Sequence, residues 1–430
     1  MAKVFLYDEY SPEDIAMMQA LYSRSSKSVE EHVEKVRETG SGKFMESFYV
    51  GYGHASIADC GSTTLFIENV SILCDKAIQD WPLYSGQETS TRYIDMCKQP
   101  VYDPANTRAS QTILKRWMDF YSTSGPEVEA HLREKYPLHP GEDEKVYGKA
   151  IKARSFDILR GFLPAGITTQ LSWHTNLRQA WDRVSVLRHH PLSEVREVAD
   201  TLWGKLKERY PHSFSHELFE DQEAYRKGAL QKHTYFNPKK FSRHFRVTHT
   251  FAKNSLAPYR DLLDQRPIKT NLPFFMRGLG TFTCDFLLDF GSFRDMQRHR
   301  ASIHQMPLLT TRYGFHEWYI EQLPVSLKKK ALQLIEKQAG AIEQLRVTEE
   351  DRQYFIPLGF RVACRFVFDL PALIYFVELR SGKSVHPTLR PIAHTLHREI
   401  QKVFPKVRLY SDLDADDWDI RRGLQDIQKK

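Results

Sequence analysis

The tripeptide Arg298-His299-Arg300, set in the run from Arg294 to Ser302, is the passage best equipped for chemistry. Three consecutive cationic or titratable side chains cannot share one helix face, so they suit a loop wrapped around an anion or an electron-rich ring system. Arginine offers planar, bidentate donors to phosphates or ring carbonyls, and histidine donates or accepts near neutral pH. A solvated basic turn or a nucleic-acid patch is the competing reading. A second passage, Ser85-Gly86-Gln87-Glu88-Thr89-Ser90-Thr91-Arg92-Tyr93, packs hydroxyls, a carboxylate and an arginine into a short loop. Such a loop presents N–H and O–H donors to a phosphate, with Arg92 as countercharge; a polar surface turn has the same composition. Gly53-His54-Ala55-Ser56-Ile57-Ala58-Asp59 places a histidine beside a hydroxyl and a carboxylate, or simply caps a helix with Ser56. Arg160, Asn176, Arg178 and Arg188 are isolated polar groups in largely apolar segments. Such residues reach either a rim, a buried anion or open solvent.

The elements that carry these groups alternate helical and extended patterns. Residues 11–39 read as helical, with Ser11 capping a start that has Pro12 in its first turn. A second start at Ser28 pairs with Glu31 as a capping box. Residues 63–72 read as a strand running into a short helix from Cys74, and residues 145–160, 176–209 and 328–346 carry amphipathic helical patterns. The polar, Lys-, Arg- and His-rich segment from Pro211 to Asn254 reads as a linker plus the start of a second domain. The mixture predicts an α/β (α+β) fold, with mixed sheets and flanking helices.

Two passages recur. Thr91-Arg92-Tyr93 answers Thr311-Arg312-Tyr313. The landmarks Pro164, Arg188, His190 and Pro211 answer Pro357, Arg380, His386 and Pro405, at separations of 192 to 196 residues. A nearly constant, domain-sized period predicts a duplicated domain, 1–215 and 216–430, and not a solenoid.

Bulk properties bound the function. Of 430 residues, 41% are hydrophobic and 27% charged, enough to bury a core without disulfides or structural metal. The net charge of +7 suits an anionic partner or merely aids solubility. Five cysteines, none in a C-x-x-C pair, argue against a disulfide framework or a thiolate zinc site and for a reducing, cytoplasmic setting. The N-terminal residues form no secretory leader, and no apolar run reaches the ~18 residues of a membrane span.

The motifs in order resemble those of the flavin-dependent thymidylate synthases: Gly-His-x-Ser-x-x-Asp, Ser-x-Gln-Glu-x-Ser-x-Arg-Tyr, Arg-x-x-Leu-Pro, Trp-x-x-Asn-x-Arg, Leu-Arg and Glu-Val-Arg, with Arg-His-Arg from the second pass. The resemblance spans nearly the whole chain, once in 1–215 and more weakly in 216–430. It implies methylation of dUMP at C5, with FAD as cofactor and NADPH and methylenetetrahydrofolate as co-substrates. It implies that Gln87, Glu88, Ser90, Arg92, Arg160 and Arg188 bind nucleotide. It further implies that His54, Ser56, Asn176, Arg178, Arg298, His299 and Arg300 touch FAD, with Arg298, His299 and Arg188 closest to the chemistry. The copies depart from the pattern in complementary ways. The first has Asp80-Trp81-Pro82 where Arg-His-Arg is expected; the second has Leu308 near the place of Glu88, Gln353 near that of Arg160, and Asp369 and Pro371 near those of Asn176 and Arg178. The family resembles a homotetramer with shared sites, so two fused copies imply a homodimer that forms a pseudo-tetramer of domains. Modification of another pyrimidine nucleotide is the nearest alternative. The stretch Lys239-Lys240-Phe241-Ser242-Arg243-His244-Phe245-Arg246 fits a nucleic-acid binder or a solvated linker.

Overall fold

A computed structural model of the chain describes residues 5, 7–92, 94–252, 254–414 and 419–421. Tyr93 of the second motif and most of the extreme N-terminus lie outside the described residues. The chain forms two compact units: Met1–Val70, Cys74–Glu88 and Thr169–Thr234 make the first, and Ser71–Leu73, Thr89–Thr168 and Tyr235–Lys430 the second. Among the described residues no helix is long and apolar enough to cross a membrane.

The first unit opens with helix Pro12–Tyr22, whose N-cap Ser11 accepts from the Asp14 amide at 3.2 Å, as its sequence predicts. Ser28 has extended N-cap geometry before helix Val29–Thr39 but makes no cap bond. Its hydroxyl turns instead to Glu30 at 3.3 Å, so the expected pairing with Glu31 does not form. Met17, Met18, Val33 and Val36 of the two helices pack together. A three-stranded sheet follows, in the order β1 (Ser62–Ser71), β3 (Thr168–Asn176), β2 (Ser85–Glu88). Ser85–Glu88, expected as loop, is extended because it pairs antiparallel with β3, Gln87 opposite Ser172 and Glu88 opposite Leu171. Strand β3 buries Leu171 and Trp173 and exposes His174, the period-two pattern of a half-buried strand. The helical stretch after it divides into Leu177–Leu187 and Ser193–Arg209, with Pro191 between them unable to continue the ladder. The supposed linker after Pro211 is more structured than its polarity suggests: it holds helix Glu220–His233 and strands β4 (Tyr235–Phe236) and β5 (Arg246–His249).

The second unit centres on a four-stranded sheet, β5, β6 (Thr281–Asp289), β9 (Arg361–Asp369), β7 (Ile303–His304). Strands β6 and β9 pair antiparallel along their full lengths, from Thr281 opposite Asp369 to Asp289 opposite Arg361. Their inward Phe282, Phe286, Phe366 and Phe368 are fully buried. A short β8 (Met306–Pro307) pairs parallel with β4. Helices Arg108–Lys135, Glu144–Leu159, Val325–Glu343, Leu370–Arg380 and Arg390–Val403 complete the unit.

The internal repeat is visible as element order. Strand β1, helix Ile72–Gln79, β2, two helices, the 3₁₀ turn Arg160–Phe162, β3 and two more helices follow one another. The order returns as β6, helix Phe290–Gln297, β7 and β8, further helices, the turn Gln353–Phe355, β9, and helices Leu370–Arg380 and Arg390–Val403. Asn176 and Asp369 cap equivalent helices in the same way, accepting from Gln179 and Ala372 at 2.8 Å. Arg380 is the last residue of its helix whereas Arg188 is a C-cap, so the two are one position out of register. Chain order and compactness differ, because residues 89–168 pack with the second pass.

Candidate functional site

Asp289 begins the construction of the site in the second unit. It is fully buried and caps helix Phe290–Gln297, its Oδ2 accepting from the Ser292 amide at 2.9 Å and from the Tyr319 hydroxyl at 2.8 Å. The helix ends at Gln297, so Arg298, His299 and Arg300 fall on the turn after it, as three such side chains in a row require. Arg298 is exposed, His299 and Arg300 half-buried. Ser302 ties the turn by donating to the His299 carbonyl at 2.6 Å.

Arg380, the last residue of helix Leu370–Arg380, donates from Nε to His299 Nε2 at 2.8 Å and from Nη2 to the Asp295 carbonyl at 3.0 Å. The His299 ring lies edge-on to Phe376 at 4.8 Å. Burial first, then Arg380, Arg298 and Arg300, push the His299 pKa down to about 3 against the pull of Asp295. The ring is therefore neutral at physiological pH. Because Nε2 accepts from Arg380, its proton sits on Nδ1.

Two residues of the first pass join this group. Arg160 is 2% exposed and donates from Nη2 to Ser292 Oγ at 3.3 Å. Gly161 next to it has no room for a Cβ, which would meet the Tyr319 ring at 2.7 Å. Burial opposes the Arg160 charge, but Tyr319, Asp295 and Asp289 outweigh it and raise the pKa. Its Nε is buried without a hydrogen-bond partner. Arg92 grips Asp157 through Nε at 2.6 Å and Nη2 at 3.3 Å, and donates to the Ser384 carbonyl at 3.3 Å. Arg154 takes the other side of Asp157 at 2.7 Å. Ser90 Oγ accepts from the Arg92 amide at 3.3 Å, and Arg294 reaches Thr91 Oγ1 at 3.2 Å, binding the Ser90–Arg92 loop to helix Phe290–Gln297.

Asp295 sits inside this cationic group. Burial pushes its carboxyl up, yet Arg160, Arg380, Arg92 and Arg298 overcome that and hold its pKa below the usual carboxylate range. The arginines of this group outnumber the carboxylates Asp157, Asp289 and Asp295, which leaves positive charge, the condition for taking an anion.

The remaining expected residues lie in the first unit. Glu88 holds the fully buried Lys76 and accepts from Gln79 at 2.7 Å. Gln87 is exposed, and its amide donates to Ser172 Oγ at 3.2 Å. His54 and Ser56 are exposed; His54, not Ser56, is the N-cap of helix Ala55–Ala58. Arg178 pairs with Asp59 at 2.8 Å. Arg188 pairs with Asp200 at 2.8 Å and lies over the Trp203 ring at 4.9 Å. The structure thus brings Ser90, Arg92, Arg160, Arg298, His299 and Arg300 into one unit. Asp80-Trp81-Pro82, the first-pass counterpart of the Arg-His-Arg turn, contains Trp81, which stacks with Arg183 at 5.6 Å.

Sequence reasoning passed over Arg380, Asp295, Asp289 and Tyr319. Arg380 served only as a landmark of the repeat, although an arginine closing the largely apolar helix Leu370–Arg380 is itself a signal for a buried partner.

The profile of the Thy1 family, described as thymidylate synthase complementing protein, matches residues 5–212 and 279–406. The chain belongs to this family. The first matched segment holds Arg92 and Arg160 and the second Arg298, His299 and Arg380, so the family pattern is met twice along the chain. Similar proteins include a UPF0159 protein of Chlamydia pneumoniae, 27% identical over 90% of this chain and 83% of its own length. Another, from Thermoplasma acidophilum, is 24% identical over 95% of this chain and 98% of its own. Membership in Thy1 makes the second-unit cluster the natural place to look for thymidylate synthase-like chemistry.

Proposed function

We propose that the protein methylates dUMP at C5 to dTMP, with FAD as cofactor and methylenetetrahydrofolate and NADPH as co-substrates. The observation that carries the reading is the group of arginines around helix Phe290–Gln297: Arg380 on His299 and the Asp295 carbonyl, Arg160 on Ser292 and Arg294 on Thr91, with Arg92, Arg160, Arg298 and Arg380 together holding the Asp295 carboxyl ionised. The donor set fits phosphate-bearing, carbonyl-rich molecules, and the buried Arg160 Nε with no partner of its own is the atom such a ligand would satisfy. Ser90, Arg92 and Arg160 would hold the nucleotide phosphate or sugar. Arg298, His299 and Arg300 would hold the flavin ring or its phosphates. When bound, FAD supplies the hydride that completes the methyl group.

The chain's own residues bind, orient and polarise. The arginines stabilise negative charge that builds on the pyrimidine. Arg380 fixes His299 so that Nδ1–H is a donor and the ring is not a general acid, because its pKa of about 3 leaves it neutral. None of the five cysteines, all free thiols, is needed as a nucleophile. The halves 1–215 and 216–430 would descend from one duplicated domain, and two chains would pair to reproduce a four-domain assembly.

Purified protein should show visible flavin absorption and release tritium from C5-labelled dUMP in the presence of methylenetetrahydrofolate and NADPH. Release from UMP or dCMP but not dUMP would move the assignment to another pyrimidine. A colourless protein whose nucleic-acid affinity falls steeply with salt would refute it. The basic stretch after Lys239 gives little support to that last outcome. Phe241 packs on Phe236 and Tyr313, and Phe245 stacks on Phe286 at 5.1 Å, so its aromatics are internal anchors and not platforms for bases.

A further inference from the structure

A separate cavity of about 770 Å³ lies in the second unit, between the segment after β5, helix Arg260–Asp264 and the end of helix Arg390–Val403. Its size is that of a small-molecule pocket, roughly 300–1,000 Å³. The lining divides by chemistry. Phe251, Leu256, Leu263 and Val407 are buried apolar side chains. Arg260, Lys402 and Lys406 are exposed cations around them, faced by Asp264. Helix Arg390–Val403 also ends here, and its carbonyl end adds about half a negative charge. Arg260 and Lys406 alone outweigh Asp264 and the helix end by about half a charge. Lys402 is partly occupied by Glu399 at 2.6 Å, which leaves Arg260 and Lys406 as the principal countercharges.

We propose that this cavity binds an amphipathic monoanion, with its apolar body on Phe251, Leu256 and Leu263 and its carboxylate between Arg260 and Lys406. An apolar floor alone would take a neutral hydrophobe, and surface cations alone would take any small anion. The two together select a ligand that carries both features. None of these residues belongs to the Asp295 cluster, so the site is a second one and does not rest on the proposed methyl transfer.

Titration calorimetry of the full chain tests it with three probes: decanoate, decanol as body without charge, and acetate as head without body. Decanoate is expected to bind one per chain, at least tenfold more tightly than either of the others. Arg260→Glu/Lys406→Glu, at exposed positions that spare the core, should weaken decanoate at least tenfold and leave decanol unchanged. Leu263→Trp, which fills the floor, should weaken both, with circular dichroism reporting whether the fold is kept. Equal binding of decanoate and decanol, multiple non-saturating uptake, or indifference of decanoate to the double charge reversal would each overturn the assignment.

Discussion

The contact between Arg380 and His299 makes a prediction that neither residue supports alone. Arg380→Ala removes the donor to Nε2 and a cation acting on Asp295. Turnover should fall by about two orders of magnitude, the usual cost of losing one positioned donor, and the His299 pKa should rise, as read by NMR titration. Arg380→Lys restores charge but not the planar fork, so it should recover little. His299 and His190 also couple stability to pH. Burial leads in both, and both fall to about 3, below the ~6.5 of an unfolded histidine. The unfolded chain therefore takes up protons first as pH falls below ~6.5, and the native state is lost progressively down to about 3, by up to ~1.4 kcal/mol per pH unit for each ring. Urea midpoints between pH 7 and pH 4 should show this, and His190→Gln should flatten the slope. The arginines of both motifs could be read from the sequence. The role of Asp295 could not, since an acid inside Arg294-Asp295-Met296 looks like ordinary surface charge until the fold brings the charges of Arg160, Arg380, Arg92 and Arg298 to bear on it.

At the scale of elements, helix Phe290–Gln297 depends on one buried cap. Asp289→Ala would remove the acceptor for Ser292 N and Tyr319 Oη, costing roughly 1–2 kcal/mol for the cap and about as much again for the stranded hydroxyl. A lowered urea midpoint with unchanged slope would report it. In the first unit, Glu88 is the acceptor for buried Lys76. Removing one partner of a buried pair costs about 3–5 kcal/mol, so Glu88→Ala should lower stability sharply. If it raises the dUMP KM with no loss of stability, Glu88 contacts substrate instead. Strand β1 and helix Glu144–Leu159 were legible from periodicity, and helix Pro12–Tyr22 from its Ser11 cap. Ser85–Glu88 was not, because its extended form comes from pairing with β3, and four small or polar residues carry no alternation of their own.

Across the whole molecule, the second unit gathers Arg92 and Arg160 from early in the chain with Arg298 and Arg380 from late in it. These groups act on one Asp295 within one chain. Arg92→Ala and Arg298→Ala proteins mixed and refolded together should therefore regain none of the activity each lacks. Recovery to a quarter of the wild-type rate would mean that the site is shared between chains. Sedimentation of the flavin-loaded protein should give twice the 50.3 kDa chain mass.

By itself the sequence determined the family, the mixed α/β class, the doubled element order and the anion-seeking arginines, because periodicity, caps and motif spacing are local properties of the chain. Only the tertiary structure decided which of those arginines meet. Coulomb interaction depends on separation in space, and the separation between Arg92 and Asp295 is set by how residues 89–168 pack with the second pass. The same packing decided that His299 is neutral, since desolvation and the approach of Arg380 exist only in the folded unit.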